Sequence, residues 1–338
     1  MDLGIMFFSS VAGDDSALAY DQVLEIARTA DAEGLSSVWL PERHFHRFGG
    51  LFPNPAVLGA AVAVSTRRIG IRAGSVVTPL HDPLRIAEEW AVVDALSRGR
   101  VGVSVATGWS PVDFALGPDR FEHRREVGRQ HTEELRALWR GESVRRRTGD
   151  GRTVELSVLP RPHRPELPLW VTSSGSRESV RQAAAGGANL LTHLVDQDLS
   201  SLGAAVAAYR EEYRGEHPGR VSVMLHTYLD EDTDRARRTA SEPLLGYLRS
   251  ALQLEQLAHG VPEEDQLFDE ELLDISHRRY LERASLIGDA AHCRAVLEQL
   301  ADLGVDEVAC LIDFGVPHED VLASVGRLAA LGRELPAA

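Results

Sequence analysis

The stretch RIGIRAGSVVTPLHDPLRIAEEWAVVDALSRGRVGVSVAT (68–107) indicates the fold most clearly. Apolar runs stand at its two ends, at 68–77 and 101–107, and apolar residues at helical spacing fill 83–96 between them. Two short apolar runs separated by an amphipathic helix are typical of a strand–helix–strand unit with parallel strands. The stretch therefore predicts an α/β protein.

The same alternation continues in both directions along the chain. Strands are predicted at 3–8, 36–40, 68–77, 101–107, 167–172, 188–194, 220–229 and 306–314. Helices are predicted at 20–33, 54–66, 83–96, 123–140, 176–186, 198–213, 289–303 and 319–332. Eight such units predict a closed (β/α)8 TIM barrel, the core of which needs ~250 residues.

Two segments exceed the barrel pattern. A β-hairpin insertion is predicted before the fifth strand, at about 143–166, and a helical insertion after the seventh, at about 233–283. With these insertions, residues 1–338 are expected to form a single domain. An open, doubly wound sheet is the alternative, but the chain lacks a GxGxxG motif after its first strand, which weakens a dinucleotide-binding interpretation.

Composition excludes several classes of function. The net charge of −15 argues against a nucleic-acid-binding surface. No run approaches the ~20 apolar residues of a membrane span, and the first residues lack the features of a signal peptide. Cys293 and Cys310 lie in apolar contexts, as buried thiols of a reducing compartment do. The sequence therefore predicts a cytoplasmic protein.

Histidines and aromatic residues follow several of the predicted strands. In a barrel of this kind, the carboxyl ends of the strands surround the active site. The side chains expected there include Glu42, His44, Phe45, His46, Ser75, His81, Thr107, Gly108, Trp109, His193, His226 and Asp313. The histidines lack the spacing and carboxylate partners of an obvious metal site, so no metal is predicted.

The run VTSSGSRES (171–179) is a sharper signal. It places hydroxyls and a glycine between the fifth strand and the start of a helix, where free N–H groups and the helix dipole favour phosphate. Ser173, Ser174, Gly175 and Ser176 are therefore the candidate phosphate-binding residues. An ordinary helix cap by Ser174 or Ser176 is the alternative.

With these stretches identified, the chain resembles the bacterial luciferase-like, flavin-dependent monooxygenases, most closely their natural-product-biosynthesis branch. The stretches that carry the resemblance are VWLPERHFHRFGGLFPNP (38–55), RAGSVVTPLHDPLRIAEEWAVVDALSRGRVGVSVATGW (72–109), LPRPHRPELPLWVT (159–172), ANLLTHL (188–194), VMLHTYL (223–229), SLIGD (285–289) and GVDEVACLIDFG (304–315). They follow one another over nearly the whole chain.

The resemblance implies reduced FMN at the barrel rim, which reacts with O2 to form a C4a-hydroperoxide that oxygenates the substrate. It places His44 at the family's histidine near the flavin and Gly74–Ser75 at a non-prolyl cis peptide. Gly74, Ser75, Thr107, Gly108 and Trp109 are expected around the flavin ring, and Ser173–Ser176 around its phosphate. Phe45, His46, His193 and His226 are expected in the substrate pocket.

The resemblance also implies partners. A separate flavin reductase is expected to supply FMNH2, the substrate is expected to be a small molecule or an intermediate tethered to a carrier protein, and the chain is expected to form a homodimer. Luciferase itself has an arginine where this chain has Thr107, which puts light emission in doubt. Two alternatives remain, a deazaflavin (F420)-dependent oxidoreductase and a flavin-binding protein without catalysis.

Overall fold

The eight predicted apolar runs are parallel strands in a computed structural model, which describes residues 1–8, 16–195, 197–261, 266 and 269–335. In chain order the strands are β1 (Asp2–Met6), β2 (Ser37–Leu40), β3 (Gly70–Val77), β4 (Val101–Ala106), β5 (Val144–Arg147), β6 (Thr153–Leu156), β7 (Leu169–Thr172), β8 (Asn189–His193), β9 (Val221–Leu229), β10 (Leu286–Gly288) and β11 (Glu307–Leu311). The helices are α1 (Ser16–Glu33), α2 (Pro55–Ser65), α3 (Pro83–Ser97), α4 (Arg124–Arg140), α5 (Arg177–Ala185), α6 (Leu199–Glu212), α7 (Thr233–Ala258), α8 (Glu270–Arg283), α9 (Ala290–Asp302) and α10 (His318–Glu334).

The strands close into a barrel. Their order is β9-β11-β1-β2-β3-β4-β7-β8, and β8 pairs with β9 to complete the ring. All of these pairings are parallel, as connections through helices require. The predicted (β/α)8 barrel is therefore confirmed, and the open-sheet alternative is excluded because the ring has no free edge.

Local sequence signals set where the helices around the barrel begin. The side chain of Asn54 accepts hydrogen bonds from the N–H groups of Ala56 and Val57, and Pro55 occupies the first turn of α2. Asp82 caps α3 in the same way, with Pro83 behind it. A cap followed by proline stops the chain from continuing the preceding strand, so each helix starts close to the barrel rim.

The amino-terminal end of the barrel is filled by a buried polar cluster. Glu307 is fully buried, accepts hydrogen bonds from Ser37 and Ser222, and forms an ion pair with Arg72. The Arg72 guanidinium also lies 4.8 Å from the Trp39 ring centroid and 4.6 Å from that of Trp170. Because this charge is fully paired, it serves to fix the barrel rather than to bind a ligand.

Both predicted insertions are present. β5 and β6 form an antiparallel hairpin before β7, and α7 and α8 form the helical insertion after β9. Part of the predicted insertion, residues 262–265, 267 and 268, lies outside the described residues. One short strand escaped prediction: β10 pairs with β9 outside the ring through only three residue pairs. Within the described ranges, none of the helices has the length and apolar character to cross a membrane.

Candidate active site at the carboxyl ends of the strands

A buried carboxylate joins two histidines at the barrel mouth. Glu42 follows β2, and its Oε1 lies 2.8 Å from His44 Nε2 and 2.5 Å from His81 Nε2. Its Oε2 accepts a hydrogen bond of 2.7 Å from the backbone N–H of Val77, at the end of β3. Two chain segments that are distant in sequence, after β2 and at the end of β3, are thus held together by one side chain.

The charges in this cluster stabilise one another. Burial raises the pKa of Glu42, but the hydrogen bonds from His44, His81 and Val77 outweigh it, and the pKa is lowered overall. For His81, burial lowers the pKa and the hydrogen bond and charge of Glu42 raise it, with a net increase. His81 therefore holds its proton to higher pH than a free histidine.

His44 is the member of this cluster that lies closest to other mouth residues. Its side chain is only 10% exposed. Asp113, at the start of a short turn after β4, interacts electrostatically with it, and burial raises the pKa of Asp113. His44 is thus held by Glu42 on one ring nitrogen, an arrangement that fixes the orientation of an imidazole and leaves its other nitrogen for a ligand.

The same three groups are close enough to ligate a metal ion. The candidate ligand atoms of Glu42, His44 and His81 lie within 4.8 Å of one another. Their mutual hydrogen bonds already account for the geometry, since both imidazoles share one carboxylate oxygen. The absence of a metal from this protein stays a prediction.

The end of β3 carries the cis peptide that the resemblance predicts. The bond between Gly74 and Ser75 is cis, which confirms the prediction. The Ser75 hydroxyl bonds to that of Thr172, at the end of β7, and Thr172 Oγ1 lies 2.7 Å from Ser104 Oγ. A row of hydroxyls therefore crosses the barrel interior just below the mouth.

Gly108 and Trp109, which follow β4, form an exposed surface at the barrel mouth. Gly108 has φ +74, and a Cβ on it would lie 2.8 Å from Val77 Cγ1, so only glycine fits. Thr107 is exposed, and Trp109 is 49% exposed, so Trp109 is not a core residue. The indole is free to cover a planar ligand.

The start of α5 is a tight turn capped by Ser176, as the alternative of an ordinary helix cap expects, and the phosphate site there stays a prediction. Gly175 has φ +94 and approaches Gln197 so closely that a Cβ would lie 2.5 Å from Gln197 Oε1. Ser176 caps α5 by accepting from the Ser179 N–H, and Ser173 Oγ accepts from the Gly175 N–H. β4 and β7 are in register, Val105 opposite Val171, so this turn lies beside Thr107 and Gly108.

The remaining predicted pocket residues occupy different environments. Phe45 is 62% exposed, with φ +56, at the outer edge of the mouth. His46 and His193 are half-buried, and the Nδ1 atom of each accepts a backbone N–H, from Phe48 and Val195 respectively. The fourth, His226, lies deeper and interacts electrostatically with His193.

His226 lies behind the surface of the mouth. Its fully buried ring packs edge-on against Tyr247 and Phe314, at centroid distances of 4.3 and 5.4 Å. Burial lowers the pKa of His226 to about 3, so the ring is neutral throughout the physiological range. The contacts of the ring are with aromatic side chains.

A cavity of about 530 Å3 opens beside this aromatic group. It lies where β1 and β11 end, between α1, α7 and α10. Its lining is mainly apolar and includes Phe7, Phe48, Leu51, Tyr247, Asp313 and Phe314. A cavity of this size and character is typical of a small-molecule site.

Two functional candidates are visible only in the structure. Glu42 and His81 stand among the rim residues in the sequence, but nothing in the pattern shows that one carboxylate holds two histidines 37 residues apart along the chain (44 and 81). Similarly, the lining of the cavity combines residues of five elements that no local motif connects.

Comparison with known proteins gives this site a family context. Residues 1–307 match the family described as luciferase-like monooxygenase. The oxygenase component of a flavin-dependent trigonelline monooxygenase from Acinetobacter baylyi is 25% identical over 91% of this chain and 88% of its own length. A 4-hydroxyprotoasukamycin monooxygenase from Streptomyces nodosus subsp. asukaensis is 32% identical, over 52% of this chain and 48% of its own length.

Solved structures share the fold. Monooxygenase RslO1 from Streptomyces bottropensis superposes with a TM-score of 0.82 at 22% identity, covering 98% of both chains. The oxygenating constituent of 3,6-diketocamphane monooxygenase from Pseudomonas putida, a complex with FMN, has a TM-score of 0.78 at 16% identity, covering 100% of this chain and 99% of its own. An F420-dependent secondary alcohol dehydrogenase reaches a TM-score of 0.71 at 18% identity, covering 99% of this chain and 100% of its own.

Proposed function

As this chain belongs to the luciferase-like family of flavin-dependent monooxygenases, we propose that it binds reduced FMN across the barrel mouth and uses O2 to oxygenate a small organic substrate. The observation that carries the proposal is the arrangement of the mouth. The start of α5, which is the candidate phosphate site, follows β7, and the exposed Trp109 follows β4. The Glu42–His44 pair follows β2, and the apolar cavity lies at the ends of β1 and β11.

This arrangement fits the shape of FMN. In the ring of strands, β7 lies almost opposite β1, so the phosphate site and the cavity are on opposite sides of the mouth. A flavin with its phosphate at Ser174–Ser176 would extend its ring system past Gly108 and the Gly74–Ser75 peptide toward His44. The bound reduced flavin would supply two electrons for the activation of O2 beside the cavity.

His44 is the proposed proton-transfer residue. Glu42 fixes its ring, as an orienting carboxylate does in other general acid–base pairs. The ring lies at the mouth and is mostly shielded from water, whereas His226 is held neutral by burial. His44 would hold or move a proton at the flavin–substrate junction, and the apolar lining of the cavity would exclude water from the reaction.

FMN is favoured over F420 as the cofactor. A relative that matches this chain over 91% of its length is the oxygenase component of a flavin-dependent monooxygenase. The F420-dependent enzymes, in contrast, resemble this chain at the level of the fold. F420 remains the second candidate for this reason. A separate reductase as the source of FMNH2 agrees with the same relative, which is named as one component of its system.

The remaining proposals concern partners. The substrate is a small molecule or a carrier-tethered intermediate of natural-product biosynthesis, in line with the 4-hydroxyprotoasukamycin monooxygenase similarity. Residues 1–338 act as one domain. The chain forms a homodimer through α2 and α3, which expose Val57, Val64, Val92 and Leu96. The protein works in the cytoplasm, where Cys293 and Cys310 stay reduced.

Anaerobic titration tests the cofactor proposal. The protein is titrated with FMNH2, oxidised FMN and reduced F420, with binding followed by fluorescence. We expect FMNH2 to bind more tightly than reduced F420. Tighter binding of reduced F420, or no binding of FMNH2, would contradict the proposal.

A further inference from the structure

Arg43, next to the proposed catalytic histidine, carries a guanidinium that lies against aromatic rings. Its guanidinium forms no ion pair and donates no hydrogen bond within the part of the chain that the structure describes. The guanidinium carbon lies 4.1 Å from the ring centroid of Phe8 and 5.5 Å from that of Phe48. Its backbone N–H donates a hydrogen bond to the carbonyl of Phe52 at 2.8 Å.

Two half-buried arginines elsewhere in the chain have acceptors. Arg100 donates to the carbonyls of Ile69 and Ala63, and Arg72 pairs with Glu307. A guanidinium carries five N–H donors, and such donors are nearly always satisfied when they leave bulk water. None of the Arg43 nitrogens is among the fully inaccessible atoms that lack a partner, so each of them keeps some accessible surface.

The guanidinium lies next to residues that line the cavity, although Arg43 is not itself among the lining residues. Phe48, which packs against it, also lines the cavity. Asp313, another lining residue, accepts the backbone N–H of Phe8 at 2.9 Å, and the Phe8 ring supports the guanidinium from below. Arg43 thus stands between the His44 cluster and the apolar cavity, with its flat face fixed on an aromatic ring.

We propose that Arg43 binds a planar oxyanion of the substrate, in the simplest case a carboxylate, while the apolar body of that molecule fills the cavity. A guanidinium fixed in one plane can donate two parallel N–H bonds to a carboxylate, which gives both affinity and orientation. The substrate would then present its apolar part between Arg43 and the flavin. That this ligand is the substrate rests on the proposed function, whereas the presence of the binding site does not.

Two carboxyl groups near Arg43 bear on its selectivity. Asp113 and Asp313 both attract the Arg43 charge. Burial raises the pKa of Asp113, and Asp313 accepts the backbone N–H of Phe8. Because these groups offset part of the Arg43 charge, we expect a small diffuse anion to bind weakly. A ligand that accepts both N–H bonds at once should bind more tightly.

The test compares two probes of equal shape. The flavin-free protein is titrated by calorimetry with 2-naphthoate and with its neutral analogue 2-naphthamide. We expect the wild type to bind the carboxylate at least about ten-fold more tightly than the amide. Arg43→Gln and Arg43→Met should remove this preference and leave the amide affinity within about three-fold, whereas Arg43→Lys, which keeps the charge without the planar fork, should keep only a minor part of it.

Arg47→Gln is the matched control, because Arg47 is an exposed arginine of the same loop. It should retain the full preference. Circular dichroism and thermal unfolding confirm that each variant is folded, and the lysine and methionine variants carry the test if the glutamine variant does not fold.

Three outcomes would overturn the inference: equal affinities of the wild type for the two probes, a full preference in the Arg43 variants, or weakened FMN binding in those variants with naphthoate binding unchanged. The last would assign the cation to the flavin instead. Wild-type protein that binds FMN without preferring naphthoate contradicts this inference alone. Protein that prefers naphthoate but does not bind FMNH2 contradicts the proposed function alone.

Discussion

At the scale of single residues, the mouth is organised by a carboxylate that serves two imidazoles. The sequence predicted His44 as the acid–base residue through a family resemblance, and it placed Glu42 and His81 only at the rim. Their shared hydrogen bonds depend on the packing of β2 against β3, which brings residues 42, 77 and 81 together. Such long-range side-chain geometry leaves no local pattern, so it could not be predicted.

The first prediction concerns His44. His44→Ala should keep FMNH2 affinity within a few-fold, because the ring is not part of the proposed phosphate site. It should divert turnover toward H2O2, because the proton-transfer group beside the cavity is gone. Coupled assays of O2 uptake, H2O2 release and product check this. An unchanged product yield would remove His44 from the mechanism.

The second prediction concerns Glu42. Glu42→Gln should lower the free energy of unfolding by on the order of 2 kcal/mol near pH 5.5, because it weakens hydrogen bonds to a buried charged group. Urea unfolding at several pH values measures the difference. The exposed Glu122→Gln is the control and should change little at any pH.

The pH dependence of this effect has a defined sign. The pKa of Glu42 is lowered from 4.5, so its contribution exists above that value and is lost as the pH falls through the lowered pKa. The pKa of His81 is raised from 6.5, so its contribution exists below that value and is lost as the pH rises through the raised pKa. The effect of Glu42→Gln should therefore be largest between about pH 5 and 6, and a pH-independent difference would contradict this account.

At the scale of elements, the start of α5 is the feature that sequence reasoning identified best. The glycine and the small hydroxyl residues of 173–176 mark a tight strand-to-helix turn, and the structure has Gly175 at φ +94 and Ser176 as the cap. Short elements were less predictable. The three-residue β10 was missed, since its pairing with β9 depends on where the helical insertion returns the chain.

The third prediction belongs to this helix start. Ser174→Asp should weaken FMN binding by about ten-fold or more, because a carboxylate beside the phosphate repels it. Fluorescence titration with FMN measures the change. Ser200→Asp adds the same charge to the first turn of the neighbouring helix α6 and should leave FMN affinity unchanged. Equal affinity of the two variants would place the phosphate elsewhere.

At the scale of the whole molecule, the alternation of apolar runs was sufficient to predict the barrel, because strands buried on both faces must be covered by helices. It was not sufficient to predict the cavity. The helical insertion reaches the mouth and contributes Pro243, Gly246, Tyr247 and Ser250 to the lining, a placement that only the assembled fold reveals.

The fourth prediction concerns assembly. α2 and α3 pack together, and each exposes two aliphatic side chains: Val57 and Val64 on α2, Val92 and Leu96 on α3. The double variant Val64→Glu/Leu96→Glu should convert a dimer to a monomer, because it places charges in an apolar interface. Light scattering after size-exclusion chromatography measures this. A monomeric wild type would contradict the proposed homodimer.

The most direct test of the central claim is the reaction of bound reduced FMN with oxygen. The anaerobic complex of the protein with FMNH2 is mixed with O2 in a stopped-flow spectrometer. The account predicts a transient that differs in spectrum from both reduced and oxidised FMN, decays more slowly than free FMNH2 oxidises, and disappears in Ser174→Asp when the flavin is not saturating. Oxidation at the rate of free FMNH2, with no such transient, would contradict it.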